Sequence, residues 1–228
     1  FCLDNDCREY NVTSNVYFDG ENKNFNLFFY DKLKYLTEMF RQKDFLKEIY
    51  FNDLVTTDII SMNKLFFSCP NLIKVDFGKK FTGEKITSME KMLFRCDKLP
   101  YVDLSAFRTD SLVEMSYMFT ACHALTSIKF GEYFTTKNVS SMQYLFFENY
   151  NLTEVDITKF HSNNLNTMEF MFFACENLNG VKFGSQFTAE KVTNMERTFQ
   201  RCYKIKNMDL SNFAPKEVTT MEYMFFNC

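Results

Sequence analysis

Apolar residues recur along this chain in a phrase that returns with a fixed beat. Its copies include "MNKLFFSC", "MSYMFTAC", "MEFMFFAC" and "MEYMFFNC". The opening methionines are Met62, Met89, Met115, Met142, Met168, Met195 and Met221, at intervals alternating between 27 and 26 residues. The larger unit is therefore a pair of coils 53 residues long, and a degenerate earlier copy opens at Leu36. Within one phrase Met89, Met92, Leu93 and Cys96 stand at i, i+3, i+4 and i+7, which predicts a short amphipathic helix. Its start is predicted too. Thr87–Glu90, Ser140–Gln143, Thr193–Glu196 and Thr219–Glu222 fit a capping box, and Asn166–Glu169 is a close variant.

After the cysteine position each unit continues in the manner of Leu72, Val75, Asp76 and Phe77, where inward apolar residues alternate with charged ones. That is the period of a half-buried strand. A second inward phenylalanine follows at Phe81, Phe107, Phe134, Phe160, Phe187 and Phe213, and the extra residue of the longer coils lies just before it, "FGKKF" against "LSAF". One such coil cannot bury its apolar side, whereas stacked coils share a continuous core. Strands stack about 4.8 Å apart and helices about 8–10 Å apart, so the stack should curve. The expected fold is an α/β solenoid of leucine-rich-repeat type, with a parallel sheet on the concave side and short helices on the convex side. Residues 1–35 read as an N-terminal cap and 36–228 as about seven coils, the last incomplete.

The phrase MFxxCxxLxxVDLSxFxTxxVTxM, carried here by "MSYMFTACHALTSIKF" and "MFFACENLNGVKF", resembles the repeat of BspA-like leucine-rich-repeat surface proteins. The match covers roughly residues 36–228. The resemblance implies a right-handed solenoid that is secreted or held at the cell surface, and that works in adhesion and protein binding rather than catalysis. Two departures stand out: glycine-containing 27-residue coils alternate with standard ones, and there are 29 phenylalanines.

Composition narrows the chemistry. A hydrophobic fraction of 46% suits a folded protein, and a net charge of −3 gives no reason to expect nucleic acid as a partner. No apolar run approaches the ~18–20 residues that cross a bilayer, so membrane insertion is not expected. Six cysteines, Cys69, Cys96, Cys122, Cys175, Cys202 and Cys228, share one repeat position, where Asn149 stands in the remaining copy. An asparagine there predicts a small buried group bonded to backbone, hence free thiols rather than a disulfide ladder. Cys2 and Cys7 lie outside the repeat; a disulfide pinning the cap and two unrelated thiols both stay open. His123 and His161 are the only histidines and share no repeat position. With no nucleophile–base pair and no metal or phosphate motif, neither an enzyme nor a cofactor is expected.

Two surfaces remain as candidates for protein contact. On the convex side the rows two and five residues after each methionine include Phe67, Phe94, Tyr117, Tyr144, Phe147, Phe170, Phe173, Tyr223 and Phe226. These rings either fold into gaps between adjacent helices or form an exposed contact stripe. On the concave side the outward strand positions present Lys74, Asp76, Tyr101, Asp103, Lys129, Asp156, Lys182 and Asp209, mixed in charge. Sequons at Asn11, Asn138 and Asn151 are permitted glycan sites in a secreted protein. The expected function is that of an extracellular or cell-surface structural or adhesive protein. The closing "MEYMFFNC" reads either as a truncated coil or as a socket for the next subunit of a head-to-tail filament. The alternative is a monomeric module that binds a ligand or host protein through the concave sheet.

Overall fold

The computed structural model describes residues 14–20, 23–29, 33–51, 54 and 56–228. The segment opened by each methionine is not a helix. Positions two and six beyond the methionine have φ between 53° and 63°, from Lys64 and Ser68 through Tyr117 and Ala121 to Tyr223 and Asn227. A right-handed helix has no place for a side-chain-bearing residue at positive φ. The chain runs instead as overlapping four-residue turns, closed by bonds such as Leu65 N–H to the Met62 carbonyl and Cys96 N–H to the Leu93 carbonyl, both 3.2 Å. The other amides point along the stack. Met62, Lys64, Phe66 and Ser68 donate to the carbonyls of Ser88, Glu90, Met92 and Phe94 at 2.7–3.0 Å, and later coils repeat the pattern.

The expected α/β solenoid is thereby overturned. Among the described residues there is no helix, and the strands are short and divided among three separate sheets. The wedge argument for curvature falls with it. Stacked rings on the turn side, such as Phe67 on Phe94, lie 4.8 Å apart, a strand-like spacing. The expected capping boxes do other work: Thr87, Thr193 and Thr219 hydroxyls donate to the carbonyls of Ile60, Asn166 and Thr193 one coil earlier. The residue just before each methionine turns the chain, its side chain accepting an amide two residues on, as Ser61 does from Asn63 and Asn194 from Glu196.

Among the described residues eight strands are formed: β1 (Ser14–Gly20), β2 (Lys23–Phe29), β3 (Leu46–Tyr50), β4 (Lys74–Asp76), β5 (Tyr101–Leu104), β6 (Ser127–Phe130), β7 (Glu154–Ile157) and β8 (Gly180–Phe183). The first sheet has the order β2-β1-β3-β4, with β1 antiparallel to both neighbours and β3 parallel to β4. Parallel pairs β5-β6 and β7-β8 follow, in registers that set Asp103 beside Lys129 and Asp156 beside Lys182. No ladder joins β4 to β5 or β6 to β7. At the first break Pro100 lacks the N–H that Ile73 and Thr126 donate at the equivalent position. At the second, the bond from Thr153 N–H to the Thr126 carbonyl stretches to 3.4 Å. The joined coils are held close by glycine: a Cβ on Gly131 or Gly184 would be driven into the carbonyl of Ser105 or Thr158.

The buried set is the one the apolar spacing predicted, although the helix is absent. Met62, Leu65, Phe66 and Cys69 are fully buried, as are Met89, Met92, Leu93 and Cys96. Phenylalanines stack through the core from coil to coil, Phe119 on Phe146, Phe146 on Phe172 and Phe172 on Phe199, at 5.0–5.6 Å. Single parallel bridges run unbroken from Tyr35–Ser61 to Asn194–Thr220, so every coil is tied to the next even where the sheets part.

Candidate functional site

The repeated cysteine closes a backbone gap. Its Sγ donates to a carbonyl one coil earlier, Cys69 to Phe40, Cys96 to Phe66, Cys122 to Leu93, Cys175 to Phe146 and Cys202 to Phe172. All six repeat cysteines are free thiols, Cys228 exposed and the others buried. Burial pushes the Cys69 thiol up to about 11 and the Cys122 thiol up to about 12, away from the thiolate that reacts. Cys2, Cys7 and Asn11 lie outside the described residues.

On the strand face, Asp76, Asp103, Asp156 and Asp209 all accept an amide two residues on, from Gly78, Ser105, Thr158 and Ser211. These carboxylates finish the strand ends. Asp103 also takes the Tyr101 hydroxyl at 3.2 Å and Lys129 at 3.3 Å. Burial pushes its carboxyl up, but Ser105 and Lys129 outweigh that and hold it below the usual carboxylate range. Lys182 pairs with Glu154 at 3.3 Å, and Lys74 lies over the Tyr50 ring at 4.6 Å. The sheet breaks open two shallow grooves of about 640 and 610 Å³. The first is lined by Lys74, Asp76, Pro100, Tyr101 and Asp103, the second by Tyr101, Lys129, Asp156, Thr158 and Lys159.

On the turn face the rings stack on one another rather than fill gaps between helices. Tyr117, Tyr144 and Phe170 form one column at 4.7 Å spacing, and Phe147 lies on Phe173 at 4.9 Å. Phe67 lies on Phe94, and these seven rings are all half-buried. Tyr223 and Phe226 are about half exposed, at 52% and 50%. Cations cover ring faces in the same rows: Arg41 lies over Phe67, Lys91 over Tyr117, and Arg197 over both Phe170 and Tyr223. The acid row beside them was missed in the sequence. Glu169 is held above the ordinary carboxylate range by burial and by the charge of Glu196, against the pull of Arg197.

The sequon asparagines are stacking elements. Asn138 and Asn151 donate their Nδ2 to the carbonyls of Asp110 and His123 at 2.8 Å. Asn71, Asn164 and Asn177 do the same to Asp44, Lys137 and Tyr150, with no sequon around them. The histidines are spread likewise; His123 stacks on Tyr150 at 5.0 Å with Nδ1 3.3 Å from Asp97. Among the described residues no cluster of metal-binding side chains forms, and no helix is long and apolar enough to cross a membrane.

A family model described as "Mycoplasma protein of unknown function, DUF285" matches residues 34–151 and, again, residues 126–228. No curated protein and no solved structure matches the chain.

Proposed function

We propose, from the premise that the chain belongs to the DUF285 repeat family, that it is a non-enzymatic surface repeat protein working through contact with other proteins. The observation that carries this is the unbroken bridging of each coil to the next from Tyr35 to Thr220. Such a stack sets out the same rows of side chains coil after coil. Its thiols and asparagines are spent on holding neighbouring coils together. Kinship with the BspA-like surface proteins belongs to this proposal at the level of the repeat phrase, not of a leucine-rich-repeat fold. So do an extracellular or cell-surface location and an adhesive role. Biotinylation of intact cells that make the protein is expected to label it while a cytosolic marker stays unlabelled. Labelling only after lysis would overturn the reading.

Self-association is the contact we favour. The bridges and backbone bonds that tie one coil to the next recur in every coil, and the coils of a second copy carry the same groups. Sedimentation velocity of the full chain is expected to show assembly that grows with concentration; a constant monomer would sink it. The second reading, a monomeric module binding through the strand face, is favoured by the two open grooves. It predicts that Lys129→Glu with Lys182→Glu abolishes partner binding and leaves assembly intact.

A further inference from the structure

On the turn face the position one residue after the methionine is an acid in four coils, Glu90, Glu169, Glu196 and Glu222, beside the largely aromatic column two residues after it. In two coils the chain itself supplies a cation that bridges these rows. Lys91 pairs with Glu90 at 2.6 Å while lying 4.7 Å over the Tyr117 ring. Arg197 pairs with Glu196 at 3.2 Å while lying 5.3 Å from the Phe170 centroid and 5.2 Å from that of Tyr223. Between them the bridging position is aromatic, Tyr117, Tyr144 and then Phe170, so these coils have no cation of their own there. Glu169 sits in this stretch. Among the described residues no lysine or arginine lies within ion-pair distance of it, although it is half-buried.

Around Glu169 the two aromatic rows close into one patch. Tyr144 meets Phe147 at 5.2 Å and Phe170 meets Phe173 at 5.4 Å, and all four rings are half-buried. Stacking covers both faces of Tyr144, by Tyr117 and Phe170, and one face each of Phe147 and Phe173, and what stays open of these half-buried rings is apolar. A wholly apolar partner would strip water from Glu169 and leave its charge offset only by the distant pull of Arg197, which is costly. A lysine or arginine answers both needs: its aliphatic stem lies against the rings and its charged head reaches the carboxylate.

We propose that Tyr144, Phe147, Phe170 and Phe173, with Glu169, form a docking surface for a basic polypeptide segment. Its cation pairs with Glu169 as Lys91 pairs with Glu90. This deepens the protein-contact reading above and rests on it.

The test uses the full chain and a fluorescent twelve-residue peptide alternating arginine and leucine, with a glutamate–leucine peptide as control, read by anisotropy. The arginine peptide is expected to bind and the control not to. Glu169→Gln, which keeps the side chain's shape, should weaken binding by about tenfold or more, as loss of one partner of a desolvated charge pair does. Phe173→Ser, checked for folding by its melting curve, should weaken it as well. Asp156→Asn on the strand face should leave it unchanged. Equal binding by Glu169→Gln and the parent, equal loss in Asp156→Asn, or no binding at all would each overturn the proposal. The wider reading fails separately, through cell-surface labelling.

Discussion

Asn149 reaches back to Phe119, donating its Nδ2 to the Phe119 carbonyl at 2.9 Å where cysteine thiols do so in other coils. Its Oδ1 also accepts the Cys122 amide at 3.0 Å, so one side chain satisfies a buried acceptor and a buried donor. Asn149→Ala leaves both bare and should cost about 2–4 kcal/mol, the usual penalty for two unsatisfied buried groups. Asn149→Cys restores the pattern of the neighbouring coils and should recover most of that loss. Urea denaturation of the two variants beside the parent measures the difference.

Glycine has a definite task in the longer coils. Gly131→Ala and Gly184→Ala each press a methyl group into a main-chain carbonyl, and backbone has little room to yield. Each should destabilise by about 3 kcal/mol or pry its strand pair apart. Gly180 is the control, since the nearest atom to an added Cβ there is the Asn207 carbonyl oxygen at 3.7 Å. Gly180→Ala should be nearly neutral in the same melts.

The turn geometry and the expected helix make opposite predictions at Arg95, an exposed residue with φ of 56°. In a helix interior, glycine would cost about 1 kcal/mol. At a left-handed position it relieves strain, so Arg95→Gly should be neutral or stabilising by up to about 1 kcal/mol. Far-UV circular dichroism of the parent should lack the paired helical minima. A strong helical spectrum together with a destabilised variant would refute the turn assignment.

The buried thiols predict an alkaline limit. Burial raises Cys69 to about 11 and Cys122 to about 12 from an ordinary value of 9.0, so the unfolded chain ionises first. Their contribution to stability is whole below pH 9 and is lost as the pH climbs through 11 to 12. Urea midpoints should therefore decline over that window. At pH 8 iodoacetamide should modify Cys228, the exposed member of the row, and spare Cys96, Cys122 and Cys175 until denaturant is added.

Much of this molecule is legible in its sequence, and what is not has a physical cause. The repeat, the strand positions and the buried faces follow from spacing, and Asn149 correctly marks the cysteine position as a bond to backbone. The helix is the failure. Successive four-residue turns return side chains to one side at three- and four-residue steps, so Met89, Met92, Leu93 and Cys96 carry the same signal in either structure. What distinguishes them is positive φ at residues such as Lys64, Tyr117 and Phe170, and no side-chain preference announces it. Glu169 was passed over because its meaning is relational. Glu90-Lys91 and Glu196-Arg197 pair an acid with a cation whereas Glu169-Phe170 and Glu222-Tyr223 do not, a contrast that shows only when the copies are laid side by side.

In the coils from Leu36 to Arg201 about half of the turn amides find acceptors only on the coil that follows. A repeat built on a helix closes its own hydrogen bonds and can hold some shape alone; this one cannot. Folding must then begin with a costly first pair and spread by templating, each ordered coil offering a ready row of groups to the next. Growth of this kind resembles a crystal edge advancing more than the docking of preformed parts. A lesion in a middle coil should accordingly stall the advance and leave two shorter stacks, each melting back from the break.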